Sequence, residues 1–277
     1  MHNLILSGCN GYMGRVVTAV VKDDPAVSIS AGIDIDSRQL DNYPVFASPD
    51  ALSGDAGGCG AGGDDAGGCD AGAGVRLAFK ADVILDFSSP SALKGLLALG
   101  MSRNIPLILC ATGYSREQIS DIDKASRQIP VFRSGNMSLG INLLADLIQR
   151  ACAVLGEDFD IEIIERHHRR KVDAPSGTAL MLADAATSAL PYDPDYVFER
   201  QSARKPRDAH EIGISAVRGG TIIGIHDVLF AGHDEVIELR HTAASREVFA
   251  VGALRAVKFI VGKRPGMYSM KDVLAEL

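Results

Sequence analysis

The sequence feature that most limits the possible folds is an alternation, over residues 3–132, of short apolar runs with segments of helical periodicity. Each apolar run has the length of one buried strand. Strands that alternate with helices build βαβ units, in which helices cover a parallel, doubly wound sheet. The predicted strands are Asn3–Ser7, Ser28–Ile33, Ala81–Phe87, Pro106–Cys110 and Ile129–Phe132, and the predicted helices are Tyr12–Lys22, Ser91–Met101 and Ser115–Ser126.

The pattern changes after residue 135. Long apolar helices are predicted over Ser138–Leu155 and Ser245–Val261, and shorter ones over Thr178–Leu190 and Met270–Glu276. Four extended runs lie among them, the last three joined by short glycine-containing turns, which is typical of an antiparallel or mixed sheet. These runs are Phe159–Glu165, Glu211–Arg218, Thr221–Phe230 and Glu235–Thr242, and Pro191–Asp208 is predicted to be a long polar loop. The chain is therefore predicted to form two domains, the second of which contains a sheet of a different kind.

Residues 53–74 have a composition of their own, with almost nothing but glycine, alanine and aspartate. Such a segment buries no core, so we interpret it as a flexible surface insertion. The alternative is a metal loop that uses Cys59, Cys69 and the aspartates. That pair of cysteines lacks a histidine and does not have the spacing of a zinc site.

Charge and cysteine content limit the partners. The 277 residues carry a formal net charge of −7, which disfavours nucleic acid or an anionic membrane as the main partner. No apolar run approaches the ~18 residues of a membrane span, and the N-terminus lacks the basic region of a signal peptide. The five cysteines are scattered. We expect a reduced, cytoplasmic protein with no nucleic-acid or membrane partner.

A glycine-rich turn joins the first predicted strand to the first predicted helix. Gly8–Gly14 has Gly-x-x-Gly-x-x-Gly spacing, a variant of the commoner dinucleotide fingerprint. Such glycines let the backbone approach a pyrophosphate at the helix N-terminus, although glycine also occurs there for packing alone. Asp34 follows Gly14 by 20 residues, where an acid binds the adenosine ribose. An acid there favours NADH over NADPH, since it repels a 2′-phosphate, although Arg38 is a nearby cation.

The segment that follows the strand ending at Glu165 combines two histidines, several cations and a Ser-Gly-Thr turn. Ser176 is a suitable helix cap, which leaves the amides of Gly177 and Thr178 for an anion. His167 and Lys171, beside that turn, are suited to bind a carboxylate and deliver a proton. The alternatives are a solvated basic loop and a His-His metal site, and the neighbouring cations disfavour the metal.

Residues Glu165–Ala179 (ERHHRRKVDAPSGTA) resemble the signature segment of the dihydrodipicolinate reductase family. Four other segments are similar to that family's motifs: the nucleotide turn, the end of a strand, the loop on the nicotinamide side and the interdomain hinge. They are Gly8–Arg15, Asp86–Ser88, Cys110–Gly113 and Ser134–Ser138. The resemblance covers nearly the whole chain outside the insertion.

The resemblance implies an architecture. An α/β N-terminal Rossmann-type domain with a parallel sheet is expected from residues 1–135 and 243–277. A central α+β domain with a mixed sheet, residues 136–242, is expected to bind substrate and to build a homotetramer. The implied reaction is the NAD(P)H-dependent reduction of 4-hydroxy-tetrahydrodipicolinate to tetrahydrodipicolinate in diaminopimelate and lysine biosynthesis.

The resemblance also implies roles for residues. His167 would donate the proton, assisted by Lys171. Substrate would be bound by His168, Lys171, Ser176, Gly177 and Thr178. The cofactor, NADH or NADPH, would be bound by Gly8, Cys9, Asn10, Gly11, Tyr12, Met13, Asp34, Phe87, Cys110, Ala111, Thr112, Ser134, Gly135, Asn136 and Met137. No metal site is expected.

The chain departs from the family pattern at three of these positions. Cys110 and Ala111 replace a glycine and a threonine of the nicotinamide loop, and Met137 stands where an aromatic residue is common. None of the changes removes a proposed catalytic group. Two other functions are weighed: a related dehydrogenase acting on aspartate or meso-diaminopimelate, and a non-catalytic dinucleotide-binding regulator. Neither is expected to keep His167, Lys171 and the Ser-Gly-Thr turn together.

Overall fold

The computed structural model describes residues 1–53 and 80–277. The segment predicted to be an insertion, with Cys59 and Cys69, lies outside the described residues except for its first position. The described chain divides into two compact units, Met1–Gly135 with Ala250–Leu277, and Asn136–Phe249. The chain thus returns to the first unit at Ala250, later than the predicted position 243.

The elements are named in chain order. The strands are β1 (His2–Ser7), β2 (Val27–Ile33), β3 (Val45–Phe46), β4 (Val83–Asp86), β5 (Leu107–Leu109), β6 (Pro130–Arg133), β7 (Asp160–His167), β8 (Asp195–Val197), β9 (Glu211–Arg218), β10 (Gly224–Ala231), β11 (Val236–Ala243) and β12 (Gly266–Tyr268). The α-helices are α1 (Tyr12–Lys22), α2 (Asp50–Ser53), α3 (Leu93–Arg103), α4 (Arg116–Ser126), α5 (Leu139–Leu155), α6 (Gly177–Thr187), α7 (Glu247–Ile260) and α8 (Met270–Ala275).

The first unit contains a parallel sheet in the order β12-β6-β5-β4-β1-β2-β3. Its central strands are buried on both faces, as the near-continuous apolar runs of the sequence require. Leu4, Leu6, Ile84 and Leu107 are among the side chains with no exposed surface. The strand order reverses at β1, between β2 and β4. The turn after β1 therefore lies at the topological switch point, where open α/β sheets bind their ligands.

The second unit contains a mixed sheet in the order β11-β10-β7-β9-β8. β10 is antiparallel to both β7 and β11, whereas β9 is parallel to β7 and β8. Alternate side chains of β7 are buried, which places the side chains of Glu165 and His167 on the same face as Ile161 and Ile163. Residues of α5 and α6, such as Ile148 and Leu182, complete this core. The predicted combination of a parallel and a mixed sheet is confirmed.

Several short elements differ from the sequence prediction. β8 lies within Pro191–Asp208, which was wrongly predicted to be loop throughout, and β3 and β12 were not predicted. β10 begins at Gly224 rather than Thr221. β3, β8 and β12 have two or three residues each. Such lengths are too short to show a period, so the neighbouring strand decides whether they pair.

One segment, Leu139–Asp158, has the length and composition to cross a membrane, with 20 residues and a mean hydropathy of 1.4. The expectation that no segment approaches a membrane span was wrong by this criterion. Within the described chain, 28% of the 18-residue window that has this hydropathy is buried. Ile141, Leu144 and Ile148 of α5 pack in the core of the second unit, as the side chains of a core helix do.

Candidate active site

The turn after β1 is shaped by close backbone approaches. Gly8 has a φ of +76°, and a Cβ there would lie 2.9 Å from the backbone of Phe87 and Ser88. At Gly14, in the first turn of α1, a Cβ would lie 2.1 Å from the carbonyl oxygen of Gly8. Both positions therefore require glycine. The result is a tight turn that leaves the N-terminal amides of α1 unobstructed by side chains.

Asp34 lies at the end of β2 and contacts the glycine turn directly. Its carboxylate accepts hydrogen bonds from the backbone N–H of Asn10 at 2.9 Å and of Asp36 at 3.0 Å. The Asn10 side chain donates to the carbonyl groups of Asp36 and Arg38. The guanidinium of Arg38 forms an exposed ion pair with Asp36 at 2.6 Å. The one nearby cation that sequence reasoning considered for a 2′-phosphate is therefore already paired.

The carboxyl ends of β4, β5 and β6 bring the other predicted cofactor residues of the first unit together. The Asp86 carboxylate is fully buried and accepts from the N–H and hydroxyl of Ser88, and burial raises its pKa. The Cys110 N–H donates to the Asp86 carbonyl, and burial raises the thiol pKa well above its usual range. The Cys110 thiol is therefore neutral near pH 7. A Cβ on Gly135 would lie 3.4 Å from the Thr112 methyl group, so the loops that follow β5 and β6 are adjacent.

The loop 168–175 of the second unit runs between the end of β7 and the start of α6. His167 precedes this loop and is 8% exposed. Lys171 Nζ lies 2.8 Å from the carboxylate of Asp173. His168 Nε2 lies 3.3 Å from the guanidinium of Arg246. The structure thus places the two predicted histidines and the predicted lysine around one loop, and adds a cation that sequence reasoning missed.

Glu165 is the most buried charged group near this loop, with no exposed surface. One carboxylate oxygen lies 2.6 Å from Nδ1 of His167, and the other accepts from the N–H of Ser176 at 3.0 Å. Arg218 donates one hydrogen bond of 2.7 Å to each oxygen. Each oxygen therefore has two donors. Burial would raise the pKa of Glu165, but the hydrogen bonds from Arg218 and His167 lower it below its usual value.

The start of α6 confirms the predicted cap. The Ser176 side chain accepts from the N–H of Ala179 at 3.1 Å and lies 3.1 Å from Nε2 of His226. Both the hydroxyl and the N–H of Ser176 have partners inside the protein, so Ser176 forms the cap of α6, and its predicted contact with substrate stays a prediction. The next two amides, of Gly177 and Thr178, belong to the helix turn that has no intrahelical acceptors.

Two predicted cofactor residues, Asn136 and Met137, belong to the second unit and are buried. The Asn136 amide donates to Thr178 Oγ1 at 2.9 Å, while its oxygen accepts from the N–H of Ser138. Ser138 caps α5 by accepting from Ile141. Asn136 thereby joins the N-termini of α5 and α6.

Burial and neighbouring charges set the protonation of the histidines. Burial lowers the pKa of His167, and Glu165 opposes that effect while Lys171 and Arg218 add to it. Burial also lowers the pKa of His226 to about 4. The two rings pack edge to face with centroids 5.2 Å apart. His226 is thus neutral near pH 7 and was missed by sequence reasoning, because an isolated strand histidine carries no local signal.

Comparisons with family models and with curated proteins identify one family. The model of the N-terminus of dihydrodipicolinate reductase matches residues 2–137, and that of its C-terminus matches residues 140–274. The chain is 44% identical to the 4-hydroxy-tetrahydrodipicolinate reductase of Caldanaerobacter subterraneus subsp. tengcongensis, covering 99% of this chain and 98% of that protein. It is also 44% identical to the reductase of the same name from Clostridium tetani, over 99% and 97% of the two chains.

Solved structures share the fold. A dipicolinate-bound dihydrodipicolinate reductase from Paenisporosarcina sp. TG-14 has a TM-score of 0.75 and 23% identity, covering 97% of each chain. A scyllo-inositol dehydrogenase from Lactobacillus casei has a TM-score of 0.59 and 11% identity, over 99% of this chain and 93% of that one. These structural similarities concern the fold alone, whereas the family matches concern the sequence.

Proposed function

The chain belongs to the dihydrodipicolinate reductase family, and from that premise we propose that it reduces 4-hydroxy-tetrahydrodipicolinate to tetrahydrodipicolinate with a reduced nicotinamide dinucleotide. The observation that carries the proposal is the loop from His167 to Thr178. It combines a buried imidazole, cationic side chains and the N-terminal amides of α6. A cyclic dicarboxylate that must accept a proton requires these groups.

The residues of the first unit fit a dinucleotide. The glycine positions around the start of α1 leave a backbone cradle that a Cβ at Gly8 or Gly14 would fill. When bound, the nicotinamide supplies the hydride. Asp34 faces the turn with its carboxylate, and Arg38 is paired with Asp36, so we propose a preference for NADH. The loops at Cys110–Thr112 and Ser134–Met137 are proposed to contact the nicotinamide side.

The residues of the second unit are proposed to bind the two carboxylates. Lys171 and His168 offer side-chain donors, and the Gly177 and Thr178 amides offer backbone donors at a positive helix end. Arg246 lies beside His168 and adds a guanidinium suited to a carboxylate. Thr178 Oγ1 accepts from Asn136 and so keeps its own proton for a ligand.

The proton is proposed to come from His167. Hydride addition to the substrate ring leaves an atom that must be protonated. Imidazole is the side chain whose ordinary pKa lies nearest neutrality, and burial lowers the pKa of His167 from that value. Lys171 is proposed to assist, since its ammonium lies close enough to lower the pKa of His167. A cation there favours transfer of the proton to the substrate.

Two further parts of the proposal concern the setting of the enzyme. We place it in the cytoplasm, in diaminopimelate and lysine biosynthesis. We also propose a homotetramer built through the face of the second sheet opposite α5 and α6, where Arg166 and Arg240 pair with Asp227. Sedimentation at several concentrations measures the oligomer, and a monomer at micromolar concentration would contradict it.

The test of function is an absorbance assay of NADH and NADPH oxidation. The substrate is generated in situ from pyruvate and aspartate semialdehyde by the preceding synthase. Oxidation that requires the synthase, and is faster with NADH, is the expected result. The proposed reaction would be contradicted by a folded protein that binds NADH but does not oxidise it. Oxidation that does not require the synthase would contradict it as well.

A further inference from the structure

We infer that Glu165 is a positioning residue that holds the proton donor His167 and the carboxylate-binding turn of α6 in one fixed arrangement. The inference rests on the proposed function of that site. Glu165 lies two residues before His167 on β7, so the two side chains project from the same face of the sheet. Its carboxylate is fully buried and contacts three different segments of the second unit.

Glu165 contacts both ends of the loop 168–175. His167 precedes the loop and Ser176 follows it, and both donate to the same carboxylate, at 2.6 and 3.0 Å. Arg218 holds that carboxylate from β9 and also donates to the carbonyl of Asp173 within the loop at 2.5 Å. One buried group thereby closes the loop that carries Lys171. A displacement of either end would misplace donors that must meet one small ligand.

Glu165 also fixes the tautomer of His167. Glu165 is a carboxylate and accepts a hydrogen bond, so Nδ1 of His167 carries a proton in both the neutral and the charged ring. The proton that is exchanged with substrate is therefore on Nε2. A Cβ on Gly224 would lie 3.2 Å from Nε2, so the absence of a side chain at that position keeps this edge of the ring uncrowded.

The charge of His167 depends on Glu165 as well. Burial and the cations of Lys171 and Arg218 lower the pKa of His167, while Glu165 raises it. His226, packed on the same ring from β10, is neutral near pH 7. Lys171 and Arg218 thus oppose the imidazolium, whereas Glu165 stabilises it. Without the carboxylate, the acid form needed for proton donation becomes rare at neutral pH.

The alternative is that Glu165 only stabilises the fold. A buried carboxylate with a bidentate arginine has structural value whatever the chemistry nearby, and loss of one partner leaves a buried charge. A structural role changes the unfolding midpoint. It does not by itself change the titration of His167 or the split between kcat and KM, so those readouts separate the two roles.

The experiment uses the full-length protein carrying Glu165→Gln or Glu165→Asp. We expect Glu165→Gln to lower the pKa of His167 by about one unit, observed in ¹⁵N-histidine NMR spectra assigned with His167→Asn. The imidazolium is consumed as pH rises, so the fall of kcat with pH should begin at lower pH. At pH 8, kcat should drop about tenfold, with partial recovery at lower pH. Glu165→Asp keeps the charge and should restore much of the wild-type pH profile.

The matched control is Glu162→Gln. Glu162 also lies on β7 and pairs with two arginines, Arg200 and Arg207, but it projects from the opposite face. We expect its pH profile and His167 titration to match those of the wild type. If Glu165→Gln does not fold, the double variant Glu165→Gln/Arg218→Met is compared with Arg218→Met. Loss of Arg218 by itself raises the pKa of His167, and that effect is then common to both variants.

The outcomes distinguish this inference from the proposed function. An unchanged His167 pKa and pH profile in Glu165→Gln, with only a lower unfolding midpoint, would overturn the positioning role. If the wild type fails to reduce the substrate, the proposed function fails. The NMR titration, together with calorimetry of dipicolinate binding, still reports whether Glu165 controls His167 and the turn of α6.

Discussion

Two helix N-termini of this chain are proposed to hold anions, and they are built differently. α1 begins after Gly11 with no side-chain hydrogen bond at its cap, and glycines shape the turn before it. α6 begins after Ser176, which is held by Glu165 and His226. A pyrophosphate needs only amides and room, whereas a proton transfer needs titratable side chains in fixed positions. The first helix N-terminus is therefore shaped by glycine backbone, whereas the second adds fixed side chains to its amides.

The largest effect is expected at the chemical site. His167→Ala should lower kcat by about 10²–10⁴-fold, because it removes the general acid. Calorimetry should show that NADH and dipicolinate still bind, since the glycine turn and the cations remain. A variant with wild-type kcat would show that another group donates the proton.

The next prediction compares one glycine from each N-terminus. In Gly14→Ala the new methyl group would meet the Gly8 carbonyl at 2.1 Å, so the turn must move, and NADH binding should weaken about a hundredfold. In Gly177→Ala the new methyl group meets nothing within 4 Å. That variant keeps its N–H and should bind dipicolinate within about threefold of the wild type. Equal losses in the two variants would contradict the distinction between the sites.

The buried network should also make the second unit sensitive to acid. His226 has a pKa of about 4 in the folded protein, against an ordinary value near 6.5. The unfolded chain then binds more protons between these values, so stability is present above pH 6.5 and is lost as pH falls toward 4. Between pH 7 and pH 5 this loss amounts to about 2 kcal/mol.

Urea denaturation of the wild type and of His226→Gln at pH 7 and pH 5 measures that loss. The variant lacks the titrating ring and should lose less stability than the wild type over the same interval. The control variant His2→Gln changes a partly buried histidine of β1 in the first unit and leaves His226 in place, so the loss assigned to His226 should remain. An equal pH dependence in His226→Gln would contradict the assignment.

The smallest effect is expected at Asp173, in the loop 168–175. The Asp173 carboxylate pairs with Lys171, and burial would raise its pKa, but Lys171 and the Gly177 amide lower it. It thus occupies donors that we assign to substrate. Because Asp173 is largely exposed, Asp173→Asn should tighten dipicolinate binding only about two- to threefold in calorimetry. Weaker binding would instead show that Asp173 orients Lys171 productively.

Much of the fold was predictable because its signals are local. The helices α1, α4, α5 and α6 and the strands β1, β4 and β9 follow the periodicity of the sequence closely. The Ser176 cap was also predicted, since a cap and its partner lie three residues apart. The glycine turn was predictable in the same way, because the residues it joins are neighbours in the chain.

The candidate active site was predictable as a motif but not as a network of contacts. His167, Lys171 and the Ser-Gly-Thr turn fall in one short segment, so their proximity needs no tertiary information. The partners that fix them are distant: Arg218 is 53 positions from Glu165, His226 is 50 from Ser176, and Arg246 is 78 from His168. Nothing local distinguishes these side chains from ordinary strand or helix residues.

The sequence by itself determined the alternation of strands and helices, the backbone cradle at α1 and the choice of candidate reacting groups. The tertiary structure alone decided the short edge strands β3, β8 and β12, which pair only because a neighbouring strand is present. It also decided that Glu165 is buried between His167, Ser176 and Arg218. The physical reason is the same in both cases: hydrogen bonds between distant segments depend on which strands adjoin in the folded sheet, and periodicity along one strand does not encode that.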